Sequence, residues 1–368
     1  MNRYFHEILK LPFYALSTIL YAVSFIIPKD KKLWLFGSWD GEKYSDNSKY
    51  FFEYINNNHK EINAVWITKS KTIYSYLKSR NIPAEKYNSI KGMILHLKAG
   101  VVVLTKGKKD VNHYLLTKNT KAIQLWHGVG YKKILFDTDL KNIYNKYIKN
   151  LYIFPVLKNF LRYDLLISTS DLMKKRFSGS FDMNIKKIPI TGYPRNDIFF
   201  NSAAQLSSDN EEKTILYAPT HRHEGVEKNL GDVFSKDNLI KLNKSLHLIN
   251  AKVHMKLHYY EESLLKEINL SNVVLLKSDP FFDIQEFLCK TDILITDYSS
   301  IYFDYLLLDR PIMFFAYDLE DYIKNDRGLY ERYEDVTPGD IVRSWDEVEV
   351  SIKNYFDNPD RYKEERKS

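Results

Sequence analysis

The chain has 368 residues, 44% of them apolar and 27% charged, which supports two cored domains and excludes wholesale disorder. Its 54 basic and 47 acidic residues leave a net charge of +7, a mild bias that suits phosphorylated substrates or an anionic lipid surface and makes no case for nucleic acid. A single cysteine, Cys289, excludes an internal disulfide framework and any multi-cysteine metal site.

From Leu11 to Pro28 no residue is charged, and Lys10 on one side and Lys29, Asp30, Lys31 and Lys32 on the other bracket the stretch. It is at the lower limit for crossing a bilayer, and no small-x-small site before the charged run marks a cleavable signal. Residues 1–32 are therefore expected to form a hydrophobic, membrane-associating helix lying in the interface, with lysines on lipid phosphates. A spanning helix and a helix packed on its own domain are the alternatives.

After Lys32, short apolar runs alternate with segments of helical spacing. Leu33–Gly37, Ala64–Thr68, Val101–Leu104, Ala122–Trp126 and Leu165–Ser168 read as strands, and Ser48–Asn56 and Thr72–Ser79 as helices. The polar, patternless residues 201–213 read as a linker. A second series follows: Ile215–Ala218, Lys252–Leu257, Val273–Leu276, Ile293–Thr296 and Ile312–Phe315. Two βαβ series predict an α/β chain of two Rossmann-like halves facing a cleft, 33–200 and 214–368, with ligands beyond the carboxyl ends of the strands.

Four polar clusters fall at predicted strand ends. In Trp126-His127-Gly128-Val129-Gly130-Tyr131-Lys132-Lys133 an imidazole is followed by glycines that permit close approach and lysines that supply charge. In Tyr217-Ala218-Pro219-Thr220-His221-Arg222-His223, Arg222 offers a fork of donors to phosphate, while the histidines have no metal-ligand spacing. Lys256-Leu257-His258 aims a cation and an imidazole past a strand end, where charge on a diphosphate is neutralised. Thr296-Asp297-Tyr298-Ser299-Ser300, with Asp304 one turn on, offers hydroxyls and N–H groups to an anion; Asp304 is placed to accept ribose hydroxyls, and Asp297 reads equally as a helix cap.

Taken together these clusters, with Thr191-Gly192-Tyr193-Pro194-Arg195-Asn196-Asp197, Phe36-Gly37-Ser38 and Tyr44-Ser45-Asp46-Asn47-Ser48-Lys49-Tyr50, resemble the CDP-glycerol glycerophosphotransferase family of teichoic acid and capsule synthesis. The resemblance implies a GT-B fold and a monotopic enzyme on the cytoplasmic face of the bacterial membrane. It implies transfer of glycerol phosphate from CDP-glycerol to a lipid-linked saccharide or growing polyol-phosphate chain. No Asp-x-Asp motif serves the donor in these clusters, and Arg with His can replace a cation, so no cofactor and no metal are expected. His127 and His258 match catalytic positions. Arg222, Ser299, Ser300, Asp304 and Asp297 match the donor and phosphate segment, and Gly128, Lys132 and Lys133 lie on the acceptor side; the loop Gly192 to Asp197 takes no assigned role. Two departures stand out: Tyr259 replaces the family's proline after His258, and Val129-Gly130-Tyr131 replaces Thr-Pro-Leu. CDP-ribitol transfer, nucleotide-sugar glycosyl transfer and non-catalytic carbohydrate binding are the competing readings.

Overall fold

The computed structural model describes residue 19 and residues 26–116, 119–138, 162–200, 212–220, 233–257, 270–277, 279–325 and 328–368. Arg222, His258, residues 1–18 and 20–25 of the expected membrane-associating segment and residues 201–211 of the expected linker lie outside the described residues. Residues 30–32, expected at the end of that segment, instead open the first strand, where backbone pairing holds them. Among the described residues no helix is long and apolar enough to cross a membrane.

Two compact units emerge. One comprises residues 1–130 and 134–195, the other 131–133 and 196–368. The first holds β1 (Asp30–Gly37), β2 (Asn63–Thr68), β3 (Ala84–Lys86), β4 (Ala99–Leu104), β5 (Lys121–Gln124) and β6 (Leu165–Leu166). These strands pair in parallel in the order β3-β2-β1-β4-β5-β6. The second holds β7 (Lys213–Tyr217), β8 (Ala251–Met255), β9 (Val273–Leu275), β10 (Ile293–Thr296), β11 (Ile312–Phe315) and β12 (Asp340–Val342), also parallel, in the order β12-β11-β10-β7-β8-β9. Numbered within its own unit, each sheet has the doubly wound order 3-2-1-4-5-6.

That order follows from the residues. Strands buried on both faces read as unbroken apolar runs, and β10 and β11 are buried at every position. Helix α1 (Asp46–Asn58) crosses from β1 to β2 and buries Phe52 and Ile55; α2 (Lys71–Ser79) buries Ile73 and Leu77 and is capped by Ser70. Helix α3 (Ile90–Lys98) then returns the chain to β4. Ala122–Trp126 was expected to be one strand, but β5 ends at Gln124, because Trp126 takes φ 58 and its N–H turns to the Gln124 side chain. Strands β3 and β12, three residues each, carry no apolar run and escape the sequence pattern.

Reversal of winding direction puts a switch point between β1 and β4 in the first unit and between β7 and β10 in the second. Chain leaving the carboxyl ends of those strands diverges there, which opens room for ligands.

Candidate functional site

In the first unit the switch point is built around His127. Gly37 ends β1 with the carbonyl of Asp110 so near that an added Cβ would sit 2.2 Å from it. The buried Asp110 carboxylate gathers the N–H groups of Thr105 (2.9 Å), Lys106 (2.7 Å), Gly107 (3.1 Å) and Asp40 (2.8 Å), fixing the turns that leave β1 and β4 together. The Thr105 carbonyl then meets Nδ1 of His127 at 3.3 Å. A carbonyl only accepts, so Nδ1 carries the proton and the neutral ring keeps its lone pair on Nε2. Nε2 makes no hydrogen bond among the described residues.

The ring lies against Trp126, 4.3 Å between centroids, and Trp39, 5.5 Å away. Burial lowers the His127 pKa below the ordinary histidine value, and Arg195 and Lys106 add to that, while Asp46 and the Thr105 carbonyl act in the opposite sense. The imidazole is thereby held neutral near pH 7, beside two cations that are each paired with a carboxylate, Arg195 with Asp46 and Lys106 with Asp40.

The backbone around the ring is strained. Trp39 (φ 48), Asp40 (φ 59), Asp46 (φ 67) and Trp126 (φ 58) all occupy the left-handed region, at a cost of about 1–3 kcal/mol each. The surroundings that over-determine them are clear. Asn47 Nδ2 donates to the carbonyls of Trp126 (2.8 Å) and Leu125 (3.4 Å), and Asn47 Oδ1 accepts from the Arg195 N–H (3.1 Å). Asp46 accepts from Trp39 Nε1 (3.1 Å) and the Arg195 guanidinium (2.8 Å), which also donates to the His127 carbonyl (3.0 Å). Tyr193 OH donates to the Gly128 carbonyl at 2.8 Å. Two motifs left without roles by the sequence, the start of α1 and the loop from Gly192, are thus the frame of the His127 turn. Their signal was a run of short polar residues opening a helix, side chains suited to tying backbone.

In the second unit the ends of β7 and β10 are joined by Asp297. Its Oδ1 accepts the N–H of Thr220 (2.7 Å) and of Tyr298, so the carboxylate ties the chain after β7 to the chain after β10 rather than acting as a simple cap. Ser299 and Ser300 follow, half-buried, ahead of the short helix α4 (Ile301–Tyr305), with Ser299 Oγ 3.4 Å from the Ile301 N–H. Asp304 is buried and grips Asn196 (3.0 Å) and Gln285 (3.1 Å), bracing the helix from behind. Lys256 turns its ammonium to the Leu276 carbonyl (3.3 Å) and the Phe282 ring.

The lysines after His127 also stand here. Tyr131 is buried in the core of the second unit against Tyr302 and Phe303. Lys132 bridges to Leu329 in antiparallel fashion, and the Lys133 N–H donates to the Gly328 carbonyl at 3.0 Å. Lys132 Nζ lies 3.4 Å from Thr220 Oγ1, beside the loop that Asp297 holds. Gly128 belongs to the first unit and Lys132 and Lys133 to the second, so the structure divides one sequence cluster between two strand-end sites. Among the described residues, no three His, Cys, Asp or Glu side chains gather as a metal site.

Two doubly wound parallel sheets, each with polar groups massed at its switch point, define an α/β protein of GT-B-like fold. Residues 19–368 match the CDP-Glycerol:Poly(glycerophosphate) glycerophosphotransferase family, and the chain belongs to it. It is 30% identical over 349 residues to the teichoic acid poly(glycerol phosphate) polymerase of Staphylococcus epidermidis, covering 90% of this chain and 46% of that protein. To the teichoic acid poly(ribitol-phosphate) polymerase of Bacillus spizizenii it is 29% identical over 297 residues, 76% of this chain and 45% of the other. The chain therefore spans about half the length of these relatives. The solved structure of the wall teichoic acid polymerase TagF, a histidine-to-asparagine variant soaked with CDPG, superposes with a TM-score of 0.74 at 27% identity, over 92% of this chain and 83% of that one.

Proposed function

We propose that the protein transfers glycerol phosphate from CDP-glycerol to a hydroxyl of a lipid-linked saccharide or growing polyol-phosphate chain in teichoic acid or capsule synthesis, acting peripherally at the inner membrane face. The observation that carries this reading is the His127 imidazole: proton fixed on Nδ1, Nε2 without a hydrogen bond among the described residues, pKa lowered by burial, at the switch point of a chain in this family.

The acceptor oxygen attacks the β-phosphorus of the donor and His127 Nε2 takes its proton. The bond from that phosphorus to the oxygen bridging the two phosphates breaks, and CMP leaves with the bridging oxygen. Such transfer asks for alignment and charge neutralisation more than covalent help. On the donor side Lys132 beside Thr220, with Arg222, His258 and the Ser299-Ser300 turn, meets the diphosphate charge; Asp297 ties Thr220 to Tyr298, and Asp304 braces the helix after the turn through Asn196 and Gln285. No cofactor or metal is proposed.

A second reading, with CDP-ribitol as donor, is favoured by the similarity to a ribitol-phosphate polymerase. Incubating the full chain with each CDP-polyol and a synthetic lipid-linked acceptor, with CMP and product mass as readouts, decides between them. Absence of CMP release with either donor, or release undiminished in His127→Ala, overturns the proposal.

A further inference from the structure

Only Nε2 of His127 reacts in the transfer scheme; the proton on Nδ1 has surroundings of its own. It meets the Thr105 carbonyl at 3.3 Å, and that carbonyl shares a peptide group with the N–H of Lys106. The Lys106 N–H in turn donates to Asp110 Oδ2 at 2.7 Å. Among the described residues no peptide bond is cis, and in a trans peptide the C=O and N–H point in opposite directions. One peptide group therefore stands between a carboxylate and an imidazole, hydrogen-bonded to both.

Every part of that chain is held. Asp110 and Thr105 are both buried. Asp110 Oδ2 also accepts from the N–H groups of Thr105 and Gly107, and Oδ1 from that of Asp40. The Thr105 hydroxyl donates to Ser48 Oγ (2.8 Å) and accepts the Ser48 N–H (3.1 Å), so helix α1 keeps the peptide from turning away from the ring. Burial raises the Asp110 carboxyl to about 6, against the pull of its four N–H partners, which leaves it largely charged at pH 7.

A charged acceptor strengthens the bond from Lys106, and hydrogen bonds in a chain polarise one another by about 10–30% per bond. The Thr105 oxygen gains negative charge and stabilises the imidazolium more than the neutral ring. Its 3.3 Å bond to Nδ1 is long, with room to shorten as the ring takes up charge. We propose that Asp110 is a positioning residue for the transfer: through the Thr105–Lys106 peptide it holds the orientation of His127 and makes Nε2 a stronger proton acceptor. The role rests on His127 as the base of the proposed reaction. No proton crosses the peptide, since Nδ1 keeps its own and Asp110 stays ionised.

Histidine-ring 15N NMR on the full chain tests this, with the His127 signals assigned by their loss in His127→Ala. Expected are a neutral ring protonated on Nδ1 and, in Asp110→Asn, a His127 proton affinity roughly three- to tenfold lower. Asp46, Arg195 and Lys106, the charged groups that act on the ring, are unchanged in that variant. The acid limb of kcat/KM should move to lower pH with the ring, whereas a purely structural defect lowers the rate and leaves the limb in place. Scanning calorimetry checks that Asp110→Asn is folded. If it is not, the Lys106 amide of the parent decides: its resonance should shift as the His127 ring titrates, and that shift should be missing in His127→Ala. A neutral ring protonated on Nε2, a proton affinity unmoved or raised in folded Asp110→Asn, or a Lys106 amide indifferent to the ring overturns the proposal. Ring and amide are read without turnover, so absence of CMP release counts against the transfer reading alone.

Discussion

Arg195 reaches back 149 residues to Asp46, and the two form a 2.8 Å ion pair with side chains 7% and 8% exposed. The same guanidinium donates to the His127 carbonyl, so one buried pair fixes both the start of α1 and the turn that carries the imidazole. Burying two charges is costly, and removing one leaves the other uncompensated. Arg195→Ala should therefore lose about 3–5 kcal/mol of stability by urea denaturation. A loss below about 1 kcal/mol would mean that the pair behaves like a surface bridge.

The His127 turn makes a pH prediction. Burial lowers its pKa, and a general base works only when deprotonated, so the acid limb of the kcat/KM profile should lie below 6.5, the ordinary histidine value. Asp46 acts to raise that pKa, so in Asp46→Asn the limb should move to still lower pH. A limb that stays fixed in the variant would assign it to another group. Replacing His127 by Ala should cost about a hundred- to ten-thousandfold in CMP release.

His96 makes a stability prediction of its own. It is fully buried, with Nδ1 at 2.6 Å from the Gly92 carbonyl and Nε2 accepting the Asn112 N–H at 2.9 Å, a pattern only the neutral ring satisfies. Burial takes its pKa from 6.5 down to about 4. The proton therefore binds the unfolded chain more tightly, and the contribution is complete above pH 6.5 and disappears as pH falls to about 4. It amounts to about 3 kcal/mol, read from urea midpoints across that range. In His96→Phe the orphaned Asn112 N–H should cost about 1–3 kcal/mol at pH 7.5, and the slope attributable to the ring should vanish.

Lys132 separates two assignments. On the acceptor side its loss would change acceptor dependence; beside Thr220 it would change donor use. Lys132→Met is expected to reduce kcat/KM for the CDP-polyol by about 10–100-fold, the worth of one charge-assisted bond. Donor titration at fixed acceptor measures it, and a defect confined to acceptor KM would count against the donor role.

Much of this was legible from pattern. Short apolar-rich runs gave ten of the twelve strands among the described residues, because strands covered by helices carry few polar side chains. The clusters at strand ends were legible because polar residues abutting such runs stand where ligands bind in open sheets. Short β3 and β12 were not, since Ala84–Lys86 and Asp340–Val342 are three residues each, with Glu85 and Asp340 interrupting any apolar run that would mark them.

The amino-acid order by itself determined two doubly wound sheets, their strand ends and the imidazole at one of them, because periodicity and local chemistry act over a few residues. Tertiary structure alone decided that Asp46, Asn47 and Arg195 frame that imidazole, and that Tyr131–Lys133 pack with the second unit. Those choices come from burial and from satisfying polar groups across up to 149 positions of chain, distances over which no local pattern carries information.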